Sequence, residues 1–294
     1  MSSEHPHDPP ALPGVSHRWI AVRGARLHVA EAGAGEPPLL LHGWPQHWLC
    51  WQKLIPELAK RYRVIAPDLR GFGWSEATRE GYRKEELADD VLALMDALGH
   101  ARFRMIGHDW GGWIGFLMGM KAPERLSHFV ALSIPHPWQH DRPLTWKMAK
   151  RLSYQVVMAA PLLGQWVWHF PGRLHPSLSR AVYDRAAWTD AVWDPYTAQF
   201  REPARAWAST QMYRRFLLEE APAIRKGHYR YSTLTVPTLH LVGERDPVGN
   251  PSALAGYEHH APDLRLEYVP RCGHFLPEER PEVVLEKALP FLQG

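Results

Sequence analysis

The chain has 294 residues, 45% of them hydrophobic and 11% aromatic, which excludes a disordered protein and suits one large domain or a core with an insertion. Its 34 Lys and Arg against 31 Asp and Glu leave a formal charge of +3 with no cationic run, so nucleic acid is not an expected partner. Two cysteines, Cys50 and Cys272, cannot build a disulfide framework, no stretch reaches the ~20 apolar residues of a bilayer span, and a reducing, cytoplasmic setting is expected.

Residues 1–14, rich in Pro, His and Asp, read as a loose tail, and they lack the cationic and apolar regions of a secretory leader. Strands are expected at 19–22 and 27–30, joined by a turn at Gly24. The apolar run Leu39-Leu40-Leu41 leads to Gly43. A helix candidate spans 51–61, and the run Val64-Ile65-Ala66 ends at Pro67-Asp68. Then come an amphipathic helix at 83–98, a strand at 103–106, a helix after Gly111-Gly112 and a strand at 129–132. Strands apolar on both faces that alternate with helices indicate a parallel sheet covered on each side, the α/β class. The alternation stops after Pro135. Residues 137–232 read as helical, with Pro203 at a helix start before 204–219, and they hold about half of the aromatic residues. Strands resume at 238–242 and 266–269, and a last helix lies near 281–291. The expected organisation is a core of residues 15–136 and 233–294, interrupted by a helical lid at 137–232.

After the strand 103–106 comes Gly107-His108-Asp109-Trp110-Gly111-Gly112, opening a helix. This has the form of a nucleophile elbow, G-x-Nu-x-G. The glycines answer a strained turn, where neighbouring chain passes so close that a Cβ would clash. The central slot holds Asp109 rather than Ser or Cys, and that decides the reaction class. Aspartate titrates near ~3.9 unperturbed, so it is ionised at neutral pH and attacks without a base. It is weak towards esters and amides but serviceable towards an electrophilic sp³ carbon, giving an alkyl ester. Water can then attack the carbonyl of that ester, a step needing a base and an oxyanion hole.

Those groups follow in the order nucleophile, acid, His that this fold uses. Asp246 stands past the strand 238–242, in Val242-Gly243-Glu244-Arg245-Asp246-Pro247. His274 stands past the strand 266–269, in Cys272-Gly273-His274-Phe275. Both are loop residues at carboxyl ends of strands, where α/β sites lie. His274 would activate water and Asp246 would orient it, with Glu244 and Asp141 as alternative acids. The backbone N–H groups of Trp44, in His42-Gly43-Trp44-Pro45, and of Trp110 are the expected oxyanion donors. His136 and His140 have a spacing compatible with a metal, but a solvated or capping role is expected. Neither GxGxxG after a strand nor a phosphate-binding GxxxxGK[ST] occurs, so no cofactor and no metal are expected. Trp166, Trp168, Trp188, Trp193 and Trp207 are read mostly as core, a few lining an apolar pocket.

The motifs HGWP (42–45), DLRGFGWS (68–75), GHDWGG (107–112), GERDP (243–247) and CGHF (272–275) resemble those of the epoxide hydrolases of the α/β-hydrolase superfamily, over about residues 19–292. The resemblance implies an eight-stranded, mostly parallel sheet with a helical cap after the sixth strand. It implies a cis peptide bond at Trp44-Pro45, and conversion of a small apolar epoxide and water to a vicinal diol. Ring opening leaves a basic alkoxide that must be protonated or hydrogen-bonded. Epoxide hydrolases meet this with two cap tyrosines. The matching segments are Ser153-Tyr154-Gln155 and Gln211-Met212-Tyr213-Arg214, so Tyr154 and Tyr213 are the implied acid pair and, with Trp110, the implied substrate contacts. The alternatives are a haloalkane or haloacid dehalogenase using the same aspartate, and a non-enzymatic receptor on the same scaffold. Haloalkane dehalogenases combine a Trp after the nucleophile, as here, with Asn where Trp44 stands. Fluoroacetate dehalogenases usually carry Arg where Trp110 stands. A receptor can lose part of the triad, whereas all three members occur here. The oligomeric state and the particular epoxide stay open.

Overall fold

The computed structural model describes residues 8–140, 153–161, 164, 167, 170–249 and 251–294. Eight strands form one sheet: β1 (Val15–Val22), β2 (Ala25–Ala32), β3 (Pro38–Leu41), β4 (Val64–Pro67), β5 (Phe103–His108), β6 (Leu126–Leu132), β7 (Thr238–Gly243) and β8 (Leu264–Val269). Their spatial order is β1-β2-β4-β3-β5-β6-β7-β8. β1, β2 and β4 pair antiparallel, and every pairing from β4 to β8 is parallel. The β1–β2 turn takes left-handed backbone at both central residues, Arg23 (φ 45°) and Gly24 (φ 75°), the arrangement that suits the twist of a two-residue hairpin.

The longer helices are α1 (Lys84–Ala97), α2 (Trp110–Lys121), α3 (Ser153–Ala159), α4 (Asp190–Thr197), α5 (Pro203–Arg215) and α6 (Pro281–Gln293). β3 and β4 are buried at every position, which is why their sequences are unbroken apolar runs, and β7 is equally buried although it includes Thr238 and His240. Side chains then sort by parity. Leu39, Leu41, Met105 and Phe129 join Leu87, Val91, Ile114 and Leu117 of α1 and α2 in one cluster. Leu40, Ile106, Val130 and Leu241 join Val284, Ala288 and Leu292 of α6 in another.

Two expectations need correction. The helix anticipated at 51–61 is broken into a 3₁₀ turn, Trp48–Trp51, and a single helical turn, Ile55–Leu58. Pro56 is the cause: it has no N–H to donate back and its ring blocks a helix running through from 51. The helix anticipated to reach 219 ends its α geometry at Arg215 and passes into a π-helical stretch, Phe216–Glu220.

Between β6 and β7 the described residues form helices and turns and no strand. They bond to loops leaving the carboxyl ends of the strands. The Trp44 indole N–H donates to Ser209 Oγ (3.0 Å), Gly73 N–H to Gln199 Oε1 (2.7 Å), and His274 N–H to the Ala181 carbonyl (2.7 Å). The inserted helices therefore cover the end of the sheet where β3, β4 and β8 hand over to loops. Trp188 and Trp193 are buried among them, Trp193 completely, whereas Trp207 is half-buried. Residues 1–7, Asp141, Trp166 and Trp168 lie outside the described residues.

Candidate active site

β5 ends at His108 and α2 begins at Trp110, leaving Asp109 alone on the turn with φ 51° and ψ −124°. Such a conformation costs a non-glycine residue about 1–3 kcal/mol and persists only where the surroundings over-determine it. The surroundings are glycines. A Cβ on Gly111 would lie 1.9 Å from the Leu41 carbonyl oxygen, and one on Gly43 would lie 2.4 Å from Asp109 Oδ1. Because Gly43 has no Cβ, its loop closes on the carboxylate, and Trp44 N–H donates to Asp109 Oδ1 (2.9 Å). Trp110 N–H hydrogen-bonds the same carboxylate. The two expected oxyanion donors thus hold Asp109 itself.

The loop bearing Trp44 is tied down by His42. Its Nδ1–H donates to the Gly43 carbonyl (3.0 Å) and its Nε2 accepts from Leu69 N–H (2.9 Å). Burial holds its pKa below the ordinary value, against the pull of Asp68, in keeping with this neutral tautomer. The Trp44-Pro45 peptide is cis. Asp68 organises the next loop. Its carboxylate bonds His28 Nδ1 (2.8 Å), Trp48 N–H (2.8 Å) and Trp74 N–H (2.9 Å). The DLRGFGWS segment thus supports the loops around the site.

His274 lies between two carboxylates. Its Nδ1 is 3.1 Å from Asp246 Oδ1 and its Nε2 is 3.4 Å from Asp109 Oδ2. The two acids differ in exposure: the Asp109 side chain is 13% exposed, that of Asp246 0%. A reactant can reach only the first. Asp246 Oδ1 also accepts Val248 N–H (2.7 Å), which fixes it. Of the alternative acids, Glu244 is exposed and turned to Arg271 N–H (3.4 Å), away from His274, and Asp141 lies outside the described residues.

Burial alone would lower the pKa of His274. The Asp246 charge and the hydrogen bonds to Asp109 and Asp246 outweigh it and raise the value to about 10. For Asp109, burial pushes the pKa up, but the His274 contact and Trp110 N–H hold it below the usual carboxylate range. His274 is thus held as the imidazolium at neutral pH, beside the Asp109 carboxylate.

Two neighbours of His274 had no signal in the sequence reading. Glu279 accepts three backbone N–H groups: Gly273 (3.1 Å) and Tyr183 (2.7 Å) on Oε2, and Phe275 (3.0 Å) on Oε1. It clamps both residues flanking His274. Glu279 stands five residues past the histidine, on a short helix, Leu276–Glu279, that folds back beneath the loop. His108 donates Nε2–H to the His274 carbonyl (2.8 Å), and burial lowers its pKa to about 4, so it stays neutral.

The two tyrosines come from separate elements, Tyr154 from α3 and Tyr213 from α5, and meet with ring centroids 5.9 Å apart. Both rings pack on Trp44, at 6.1 Å and 5.3 Å, and Tyr213 also meets Trp110 at 6.0 Å. Burial raises the pKa of Tyr154 to about 12, aided by the Asp109 charge and opposed by Gln155. Burial, the other phenol and the Asp109 charge raise Tyr213 well above the ordinary tyrosine value. Both phenols remain protonated donors beside a carboxylate. His136 Nε2–H donates to the Ala255 carbonyl (2.9 Å), and the His140 ring meets His260 edge-on. Among the described residues no three His, Cys, Asp or Glu side chains form a metal-binding group. Cys50 and Cys272 are buried free thiols.

The chain belongs to the α/β-hydrolase fold family, whose family profile matches residues 37–281. Its relatives carry a narrower description. It is 30% identical over 94% of its length to the soluble epoxide hydrolase of Corynebacterium sp. (strain C12), covering 97% of that protein. It is 27% identical over 98% of its length to epoxide hydrolase 4 of Homo sapiens, covering 82% of it. Among solved structures, the epoxide hydrolase CorEH without ligand superposes with a TM-score of 0.86 at 28% identity, over 95% of this chain and 99% of that one.

Proposed function

We propose that the protein is an epoxide hydrolase, converting an epoxide and water to a vicinal diol through a covalent ester on Asp109. The observation that carries this reading is a partly exposed aspartate on a strained elbow, paired with an imidazole and faced by two protonated phenols. Relatives named epoxide hydrolase over nearly the full length support it.

In the proposed cycle Asp109 Oδ2 attacks an epoxide carbon. The carbon–oxygen bond of the ring breaks, and the alkoxide takes the proton of Tyr213 or Tyr154. An alkoxide is basic enough to take it even from a phenol of raised pKa. Ester formation neutralises Asp109, so His274 loses one of the two carboxylates that raise its pKa. Its proton returns to the tyrosinate, and it becomes a base. Neutral His274, oriented by Asp246, then takes a proton from water as the water oxygen bonds the ester carbonyl carbon. The N–H groups of Trp44 and Trp110 hold the resulting oxyanion, donors worth roughly 10²–10³ in rate each. Collapse releases the diol, protonated by the second hydrogen of the water, and restores the carboxylate and the imidazolium. The described helices between β6 and β7 act as the cap that brings the tyrosines over the elbow.

Displacement of halide by the same aspartate is the second reading. Halide needs side-chain N–H donors, and Trp110 would have to supply one, since the Trp44 indole N–H is committed to Ser209 Oγ. The tyrosine pair favours the epoxide. Diol release from styrene-type and fatty-acid epoxides, with halide release from haloalkanes as control, decides between them. Diol without halide is expected, and halide released in preference to diol would reverse the order.

A further inference from the structure

Lys84 is the first residue of α1 and is fully buried. Neither circumstance suits a lysine. Burial strips water from the ammonium, and the amino end of a helix carries the positive end of its dipole. Burial accordingly pulls its pKa below the usual lysine value, while Glu220 and, more weakly, Asp109 pull it back. A cation retained against both effects is better explained by function than by packing.

Its contacts indicate which function. The ammonium donates to the Met212 carbonyl (2.7 Å) and lies 3.4 Å from Glu220 Oε2. It stands 4.5 Å from the centre of the Trp110 ring and 5.1 Å from that of Phe216, both within cation–π range. Met212 precedes Tyr213, and Phe216 and Glu220 bound the π-helical stretch that follows, a form frequent at functional sites. Trp110 follows Asp109. One ammonium therefore touches the residue before the proposed acid and the residue after the proposed nucleophile.

We infer that Lys84 is a positioning residue for ring opening: its ammonium fixes the turn bearing Tyr213 against the Asp109 elbow. This rests on the epoxide-hydrolase reading. Without the ammonium the turn keeps only its outer ties to the start of α1, from Arg83 to Glu219 and from the Lys84 N–H to Glu220, and the phenol shifts relative to the opening ring. A displacement of about 1 Å costs roughly 10²-fold in rate.

Single-turnover experiments with enzyme in excess over an epoxide, followed by intact mass, separate formation of the Asp109 ester from its hydrolysis. Lys84→Met keeps the length of the chain and removes the charge and the donors. Lys84→Gln keeps an N–H for the Met212 carbonyl. Ester formation should slow about 10²-fold in Lys84→Met. Hydrolysis should stay close to wild type, because the Trp110 N–H is set by the elbow backbone and not by its ring. Lys84→Gln, which keeps a donor but not the charge, should recover only part of the lost rate and still slow ester formation alone. A lysine that merely stabilises the fold would slow both steps together or lower the active fraction. Unchanged ester formation, or equal slowing of both steps, overturns the inference. If Lys84→Met does not fold, Lys84→Gln decides alone, since it must slow ester formation selectively. A wild-type protein that forms no ester at all would instead overturn the function on which the inference rests.

Discussion

Around Asp109 the backbone does the holding, whereas around the two tyrosines side chains do. The elbow is a strained turn locked by glycines whose missing Cβ atoms would strike backbone at 1.9 Å (Gly111) or the Asp109 carboxylate at 2.4 Å (Gly43). Tyr154 and Tyr213 sit instead in an aromatic cluster with Trp44 and Trp110, on helices from the insertion. Backbone-held geometry tolerates no adjustment, while a side-chain cluster can repack. The difference suits the division of tasks: the covalent chemistry stays on the rigid side, and the groups that meet the substrate sit on the side that can change shape.

The comparison breaks first at Asp109. Asp109→Ala should lower diol formation by about 10⁴-fold or more, since among the described residues no other partly exposed carboxylate meets His274. Steady-state diol release measures it, and activity within tenfold of wild type would remove the residue from the chemistry. On the other side the loss should be graded. Tyr213→Phe should slow ring opening by roughly 10²-fold, with the Tyr154→Phe/Tyr213→Phe pair far slower than either alone. Single-turnover ester formation reads this, and a double variant that opens rings like wild type would place the acid elsewhere.

Smaller effects sharpen the picture of His274. Glu279→Gln preserves shape but converts one of two acceptor oxygens to a donor facing backbone N–H groups. It should slow ester hydrolysis about tenfold, in line with roughly 1.4 kcal/mol for one misplaced hydrogen bond. Ester that accumulates after mixing with an epoxide is the readout, and an unchanged hydrolysis rate would reduce Glu279 to packing. The pH dependence has a definite sign. The folded-state pKa of His274 is raised to about 10 from an ordinary 6.5. Its contribution to stability is fully present below about 6.5 and is lost as pH rises through about 10. Asp109→Asn removes one carboxylate, so the His274 pKa should fall and that part of the loss should shrink. Imidazole NMR titration and thermal unfolding against pH check both, and an unshifted histidine in Asp109→Asn would contradict the arrangement.

The core was legible because its physics is local. Runs such as Leu39-Leu40-Leu41 are apolar at every position only if both faces are covered, and β3 is buried throughout. The elbow was legible for a related reason: glycines at fixed spacing mark where chain meets chain. The insertion was legible as helical, but its tyrosines stood out only through family resemblance, because nothing in the sequence pattern around Tyr154 and Tyr213 separates them from the other tyrosines of residues 137–232. Glu279 and Lys84 were illegible from sequence. Glu279 matters only once a short helix folds back under the His274 loop, and Lys84 begins a helix whose first-turn pattern reads as exposed. The break of the 51–61 helix was a misjudged proline, since Pro56 could begin a helix but not sit within one.

The central claim, a bond between Asp109 and a saturated carbon, is tested most directly by one turnover in ¹⁸O-water with enzyme in excess. Water attacks the ester carbonyl, so the label should enter the Asp109 carboxylate, seen in the peptide that contains it, and the diol should be unlabelled. Label in the diol and none in Asp109 would mean that water opens the ring directly, and the covalent account would be wrong.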